Sequence, residues 1–204
     1  MFKRVLGRRT FQLLCVKFIL PYGPEQPIPL NGRFHMPSWY DIKLLDRITS
    51  NEDKGGMNAW MMKINKDIKS EIDSGIPAGR IVLGGFSQGG AMTLFAGLQS
   101  KYCLGGLTVL SGYLPVRDCI LKRAMDVSKS VPIFRAHGTA DEVVLFQYGE
   151  MTSKALEESE YNVDLRLYNQ MSHSSCDDER FHLQQFLKQR IPEKKKSAGR
   201  QTSP

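Results

Sequence analysis

Between Arg80 and Leu98 the chain runs R-I-V-L-G-G-F-S-Q-G-G-A-M-T-L-F-A-G-L, and no other stretch restricts the fold so tightly. Arg80–Gly84 is an apolar run of strand length, and Gly89–Leu98 is crowded with small and apolar residues, as a buried helix requires. Between them lies Gly85-Phe86-Ser87-Gln88-Gly89, a G-x-S-x-G pentapeptide. Strand, tight turn and helix in that order make a nucleophile elbow: glycines admit the strained turn, and the serine hydroxyl stands proud of the sheet. A hydroxyl is a poor nucleophile until a base takes its proton. The pattern therefore demands a histidine, held by a carboxylate, from elsewhere in the chain.

The remaining segments supply a framework for such an elbow. Leu14–Leu20 reads as a buried strand ended by Pro21, and Pro21–Pro37, with five prolines, reads as a long irregular loop of the kind that lines a site. Trp60, Met61, Ile64, Ile68 and Ile72 recur at helical spacing, which predicts a helix over Asn58–Ser74 closed by Gly75. Leu104–Leu110, Val131–His137 and Val163–Tyr168 read as strands; Phe146–Glu160 and Asp178–Arg190 read as helices. Strands alternating with helices imply an α/β domain with a mostly parallel sheet flanked by helices.

With the elbow in place, acid and base are expected in later loops, in the order serine, carboxylate, histidine. Asp141 sits just beyond the Val131–His137 strand, in H-G-T-A-D, and His173 just beyond Val163–Tyr168, in M-S-H-S. His35 precedes the elbow, His137 belongs to the strand end that already supplies the acid, and His182 falls within a helix. Asp177 and Asp178 open the last helix, where capping and the helix dipole account for them. Ser87, Asp141 and His173 are thus the candidate triad, with the backbone N–H of Gln88 as an oxyanion donor.

Composition narrows the function classes. The 204 residues are 41% hydrophobic and 24% charged, which excludes wholesale disorder. The longest apolar candidate, Phe11–Leu20, is broken by Gln12 and Lys17 and is too short to span a bilayer. It also lacks the small-residue cleavage site of a secretory signal, and an acid-free, arginine-bearing start is only a weak match to a mitochondrial presequence. The net charge of +7 suggests a polyanion partner until it is located. Lys3, Arg4, Arg8 and Arg9 at one end, and Lys194, Lys195, Lys196 and Arg200 against Glu193 at the other, carry the whole excess. Residues 11–192 balance, so a nucleic-acid face on the folded body is not expected. The basic tails leave transient contact with an anionic membrane surface open. Cys15, Cys103, Cys119 and Cys176 show neither C-x-x-C nor paired spacing, which argues against a zinc site or disulfide framework and for a reducing compartment.

Six blocks carry a resemblance to the acyl-protein thioesterase/lysophospholipase family. They are V-K-F-I-L-P at Val16–Pro21, M-P-S-W-Y-D at Met36–Asp41, the elbow block at Gly75–Ala91, L-S-G-Y-L-P at Leu110–Pro115, H-G-T-A-D-E-V-V at His137–Val144 and M-S-H-S-S-C at Met171–Cys176. The resemblance covers roughly residues 16–192 and implies an α/β-hydrolase fold. It also implies the Ser87, Asp141, His173 triad and cytosolic hydrolysis of palmitoyl thioesters on S-acylated proteins and of related carboxylic and lysolipid esters, with no metal or cofactor. Family likeness further suggests that the Trp39–Asp41 loop and Ser111–Pro115, including Leu114, border the acyl chain.

The chain departs from that pattern at its start. Family members carry a strand ending in an H-G-x-G-D loop, which supplies a second oxyanion donor, and the first fifteen residues here do not resemble it. Three segments are accordingly expected: residues 1–15 as a divergent basic lead, 16–192 as an N-terminally incomplete hydrolase domain, and 193–204 as a basic disordered tail. Three outcomes follow for the sheet: the Val16 strand pairs directly with the elbow strand, residues 1–12 fill the gap, or the fold is weakened. Two readings follow from different classes: an acyl-thioester and carboxylester hydrolase, or an impaired form that binds acyl chains or partners without turnover. Loss of one oxyanion donor typically costs ~10²–10³ in kcat.

Overall fold

A computed structural model describes residues 16–28, 32–42 and 52–192. Its centre is a parallel sheet of four strands in sequential order: β3 (Val82–Phe86), β4 (Gly106–Leu110), β5 (Ile133–Gly138) and β6 (Val163–Tyr168). A two-stranded antiparallel ribbon, β1 (Glu25–Ile28) with β2 (Phe34–Pro37), precedes it. The helices are α1 (Lys54–Asp73), α2 (Gln88–Leu98), α3 (Arg117–Arg123), α4 (Phe146–Glu158) and α5 (Asp177–Arg190).

Period-two alternation along the strands divides the core into two layers. On one face Leu107, Val109 and Ile133 pack with Met57, Trp60, Ile64 and Ile68 of α1, with α2 and with Leu156 of α4. On the other, Phe86, Leu110, Phe134, Ala136 and Tyr168 pack against Leu183, Phe186 and Leu187 of α5. β4 and β5 are buried along their whole length, which explains their continuous apolar character. α2 is buried from Gly90 to Leu98, and its small residues let it approach the sheet closely.

One buried cation ties β5 to α4 and to the loop that follows β4. The Arg135 guanidinium on β5 donates through Nη1 to the Gly149 carbonyl and Ser153 Oγ of α4, each at 2.6 Å, and through Nη2 to the Gly112 carbonyl at 2.8 Å. Burial pulls its pKa down to about 9.

Several expectations are corrected. Val16–Leu20 is not a buried strand: it has no ladder partner among the described residues, and Phe18 and Ile19 are 46% and 44% exposed. With no ladder partner among the described residues for its N–H and C=O groups, the run forms no strand there. It does not pair with β3, and residues 1–15 lie outside the described residues, as do 193–204. The proline-rich stretch is not wholly irregular, because it contains the β1–β2 ribbon. A two-stranded ribbon tolerates Pro27 and Pro37, since each strand has an unpaired edge. The helix predicted from Asn58 begins at Lys54, where the Asp53 carboxylate caps it by accepting from the Gly56 N–H at 2.9 Å.

Candidate active site

Parallel strands bring the three predicted residues together because each follows the C-terminal end of a sheet strand. Ser87 follows β3, Asp141 follows β5 and His173 follows β6. Ser87 adopts φ 55° and ψ −121°, a left-handed conformation that costs a non-glycine residue on the order of 1–3 kcal/mol. The surroundings hold it there. Its N–H donates to the Leu110 carbonyl at 2.8 Å, and a Cβ at Gly85 would overlap the Gly89 carbonyl, so only glycine fits beneath the turn. The first intrahelical bond of α2 runs from the Ala91 N–H to the Ser87 carbonyl. The N–H groups of Gln88, Gly89 and Gly90 therefore precede the hydrogen-bonded ladder, at the positive end of the helix.

The hydrogen bonds line up across the three loops. His173 Nε2 is 2.9 Å from Ser87 Oγ, and His173 Nδ1 is 2.8 and 3.0 Å from the two Asp141 carboxylate oxygens. A carboxylate at Nδ1 fixes the Nδ1–H tautomer, leaving Nε2 as the acceptor that faces the serine hydroxyl. Phe86 backs the imidazole, with ring centroids 4.7 Å apart.

Asp141 is itself held. Its Oδ1 accepts from the Val143 and Val144 N–H groups at 3.0 and 2.8 Å. Burial alone would push its pKa up, but the bonds from His173, Val144 and Val143 outweigh that and hold it below the ordinary carboxylate value. His137 is fully buried and donates its Nε2–H to the Val144 carbonyl at 2.7 Å, bracing the same turn. Burial lowers its pKa, so it stays neutral. Gly138 lets the two loops meet, because a Cβ there would overlap the Met171 carbonyl.

The other predicted site residues fall around this relay. Trp39 donates its N–H to Gln88 Oε1 at 3.0 Å and packs edge-on against Trp60, with centroids 4.6 Å apart. Ser111 follows β4 at φ 47°, fully buried, and its Oγ has no hydrogen-bond partner among the described residues. Leu114 is buried, and its N–H donates to Thr152 Oγ1 at 2.9 Å. A cavity of about 570 Å³ borders the same loop, lined by Tyr113, Leu114, Val116, Glu52, Tyr148 and Met151 among others. The segment whose departure put the second oxyanion donor in question, residues 1–15, lies outside the described residues.

Among the other histidines, His35 is exposed on β2 and His182 meets the Tyr168 hydroxyl at 3.1 Å on α5, so neither reaches the relay. Asp177 and Asp178 occupy the first turn of α5, as the dipole favours, but the capping side chain is Cys176, whose Sγ accepts from the Glu179 N–H. Ser38, His137 and Arg135 act as supports to which sequence reasoning gave no role, and Tyr40 and Tyr113, inside the two predicted border segments, are joined by a hydroxyl pair that it did not foresee. They work through tertiary hydrogen bonds and leave no local spacing signature.

The sequence profile of the phospholipase/carboxylesterase family matches residues 6–191. The chain belongs to that family. Curated relatives include acyl-protein thioesterase 1 of Neurospora crassa, 45% identical over 191 residues that cover 91% of this chain and 78% of the relative. The acyl-protein thioesterase 1 of Yarrowia lipolytica is 40% identical over 195 residues, covering 95% and 86%. Among solved structures, Arabidopsis thaliana SOBER1 superimposes with a TM-score of 0.80 at 30% identity, covering 85% of this chain and 83% of that one. Zea mays acyl-protein thioesterase 2 follows with a TM-score of 0.71 at 26% identity, covering 84% and 80%. This phospholipase/carboxylesterase family member is therefore a hydrolase with the α/β-hydrolase fold, and its parallel sheet and flanking helices are those expected from the sequence.

Proposed function

We propose that this hydrolase removes acyl groups from S-acylated proteins, and cleaves related carboxylic and lysolipid esters, with Ser87, His173 and Asp141 as its triad. The continuous Asp141–His173–Ser87 hydrogen-bond line supports the reading most directly. The acyl-protein thioesterase relatives support the substrate class.

In the first half-reaction, Ser87 Oγ attacks the thioester carbonyl carbon while His173 Nε2 takes the hydroxyl proton. Asp141 keeps the imidazole in the Nδ1–H form and stabilises the imidazolium. Negative charge gathers on the carbonyl oxygen, which the Gln88 N–H at the positive end of α2 receives. Collapse breaks the C–S bond, His173 returns the proton to the departing thiolate, and the acyl group remains on Ser87. A cysteine thiol has a pKa near ~8.5, so expelling it asks less of His173 than expelling an amine. Water then attacks the acyl-enzyme with His173 again as base, which frees the fatty acid. Trp39, Ser111 and Leu114 border the acyl group in this reading. A cytoplasmic setting suits such substrates, and among the described residues no helix is long and apolar enough to cross a membrane.

The test pairs the wild-type chain with Ser87→Ala. Both are treated with a fluorophosphonate probe and assayed on a palmitoyl-thioester substrate. Labelling and turnover are expected in the wild type and absent from the variant. A folded wild type that shows neither would sink the proposal, and labelling without turnover would point to a missing oxyanion donor.

A further inference from the structure

Gln88 is doubly engaged. Its main chain provides the proposed oxyanion N–H, and its side-chain amide is spent entirely on the segment Ser38–Tyr40, about fifty positions earlier in the chain. Oε1 accepts the Trp39 N–H at 3.0 Å; Nε2 donates to the Tyr40 carbonyl at 2.7 Å and to Ser38 Oγ at 3.0 Å. Ser38 Oγ in turn donates to the Tyr40 carbonyl at 2.7 Å. The orientation of the amide is dictated by its partners, since a backbone N–H can only donate and a carbonyl can only accept. A carboxylate would face the Tyr40 carbonyl with a second acceptor, and an apolar side chain would leave the Trp39 N–H unpaired and the Tyr40 carbonyl with the Ser38 hydroxyl as its donor.

The clasp reaches further than one loop. Trp39, held by Gln88, packs against Trp60 of α1. The buried Tyr40 hydroxyl lies 2.6 Å from that of Tyr113, on the loop that follows β4. The wall of aromatic side chains beside the elbow is thus tied to the residue immediately after the nucleophile. We propose that the Gln88 side-chain amide is a positioning residue that sets acyl-chain selectivity, by clasping the Trp39 loop to the elbow so that acyl-chain contacts and the oxyanion donor share one anchor. The proposal rests on Ser87 being the acyl acceptor. A short acyl group needs only the relay and the donor, whereas a long chain must also find the Trp39 wall in place.

Two readouts test it. Steady-state hydrolysis of p-nitrophenyl acetate and p-nitrophenyl octanoate is measured for the wild type, Gln88→Met, Gln88→Glu, Ser38→Ala and the Gln88→Met/Ser38→Ala double variant. In Gln88→Met the octanoate-to-acetate ratio of kcat/KM should fall about tenfold, with KM for octanoate carrying most of the change. Ser38→Ala should move the ratio roughly two- to threefold in the same direction, and the double variant no further than Gln88→Met, as groups in one network should couple. Gln88→Glu should not restore the ratio. The second readout needs no turnover. Trp39 and Trp60 are the chain's two tryptophans, so acrylamide quenching of intrinsic fluorescence reports on this pair alone and should rise in Gln88→Met, also in a Ser87→Ala background. An unchanged ratio, or equal losses on both esters, would overturn the selectivity role, and unchanged quenching would overturn the clasp. Absence of Ser87-dependent hydrolysis in the wild type would overturn the underlying enzyme reading instead, while quenching still decides the clasp.

Discussion

At the scale of single residues, the relay depends on orientation more than on the presence of three reactive groups. Asp141 accepts from His173, Val143 and Val144 together, so its carboxylate is aimed as well as charged. An amide would keep much of the shape but could present an N–H to Nδ1 and favour the wrong imidazole tautomer. Asp141→Asn should therefore lower kcat by roughly 10⁴ with little change in the folded state, read by ester turnover beside a thermal melt. A variant that melts like the wild type and retains within tenfold of its kcat would contradict that role. Ser87 shows the same dependence, since its left-handed backbone persists only because the Leu110 carbonyl and the Gly85 contact over-determine it.

Among the elements, the ends of β5 and β6 must nearly touch for acid and base to meet. Gly138 makes that approach possible, with the Met171 carbonyl in the space a side chain would fill, while the Ala140 N–H bonds the same carbonyl at 3.1 Å. Gly138→Ala should push the 171–173 turn away from Asp141. It should cost about 1–3 kcal/mol in a urea melt and reduce kcat/KM by at least about a hundredfold. Near-normal kinetics in that variant would refute the close-approach account. Element identity was largely legible: Val163–Tyr168 has the predicted bounds, and the other sheet strands and main helices lie within a few residues of theirs. Among the described elements, β1, β2 and α3 were not. The β1–β2 ribbon hid behind its prolines. The seven-residue α3 follows Val116 at φ 41°, a start that no N-cap residue signals.

Over the whole molecule, two carboxyls in poor surroundings set the pH response. Glu179 is completely buried, neither of its oxygens has a partner among the described residues, and burial pushes its pKa up to about 7. Glu52 is raised to about 7 by the same cause, and its Oε2 accepts the Val116 N–H at 2.6 Å. A carboxyl that binds its proton more tightly when folded favours the native state below its unfolded pKa, and that contribution is lost as pH rises through the folded value. Stability should therefore decline between about pH 5 and 8. Glu179→Gln should flatten the decline and melt higher than the wild type at pH 8, by up to about 3 kcal/mol. Asp141, with its lowered pKa, acts in the opposite sense and loses its contribution only as pH falls below the ordinary carboxylate range. Parallel melts of wild type and Glu179→Gln from pH 5 to 8 check the sign, and curves of equal slope would show Glu179 to be uninvolved.

What the sequence alone determined was chemical identity and order. G-x-S-x-G between an apolar strand and a small-residue helix marks Ser87 as the candidate nucleophile, and the ends of two later strands mark Asp141 and His173 as its candidate acid and base. These are local patterns, set by backbone geometry and strand periodicity. Tertiary structure decided whether groups 32 and 86 positions apart fall within hydrogen-bond distance, which neutral histidine braces the acid loop, and where the Gln88 amide reaches. Hydrogen bonds between distant segments leave no spacing to read, because their geometry exists only once the sheet has brought its strand ends together.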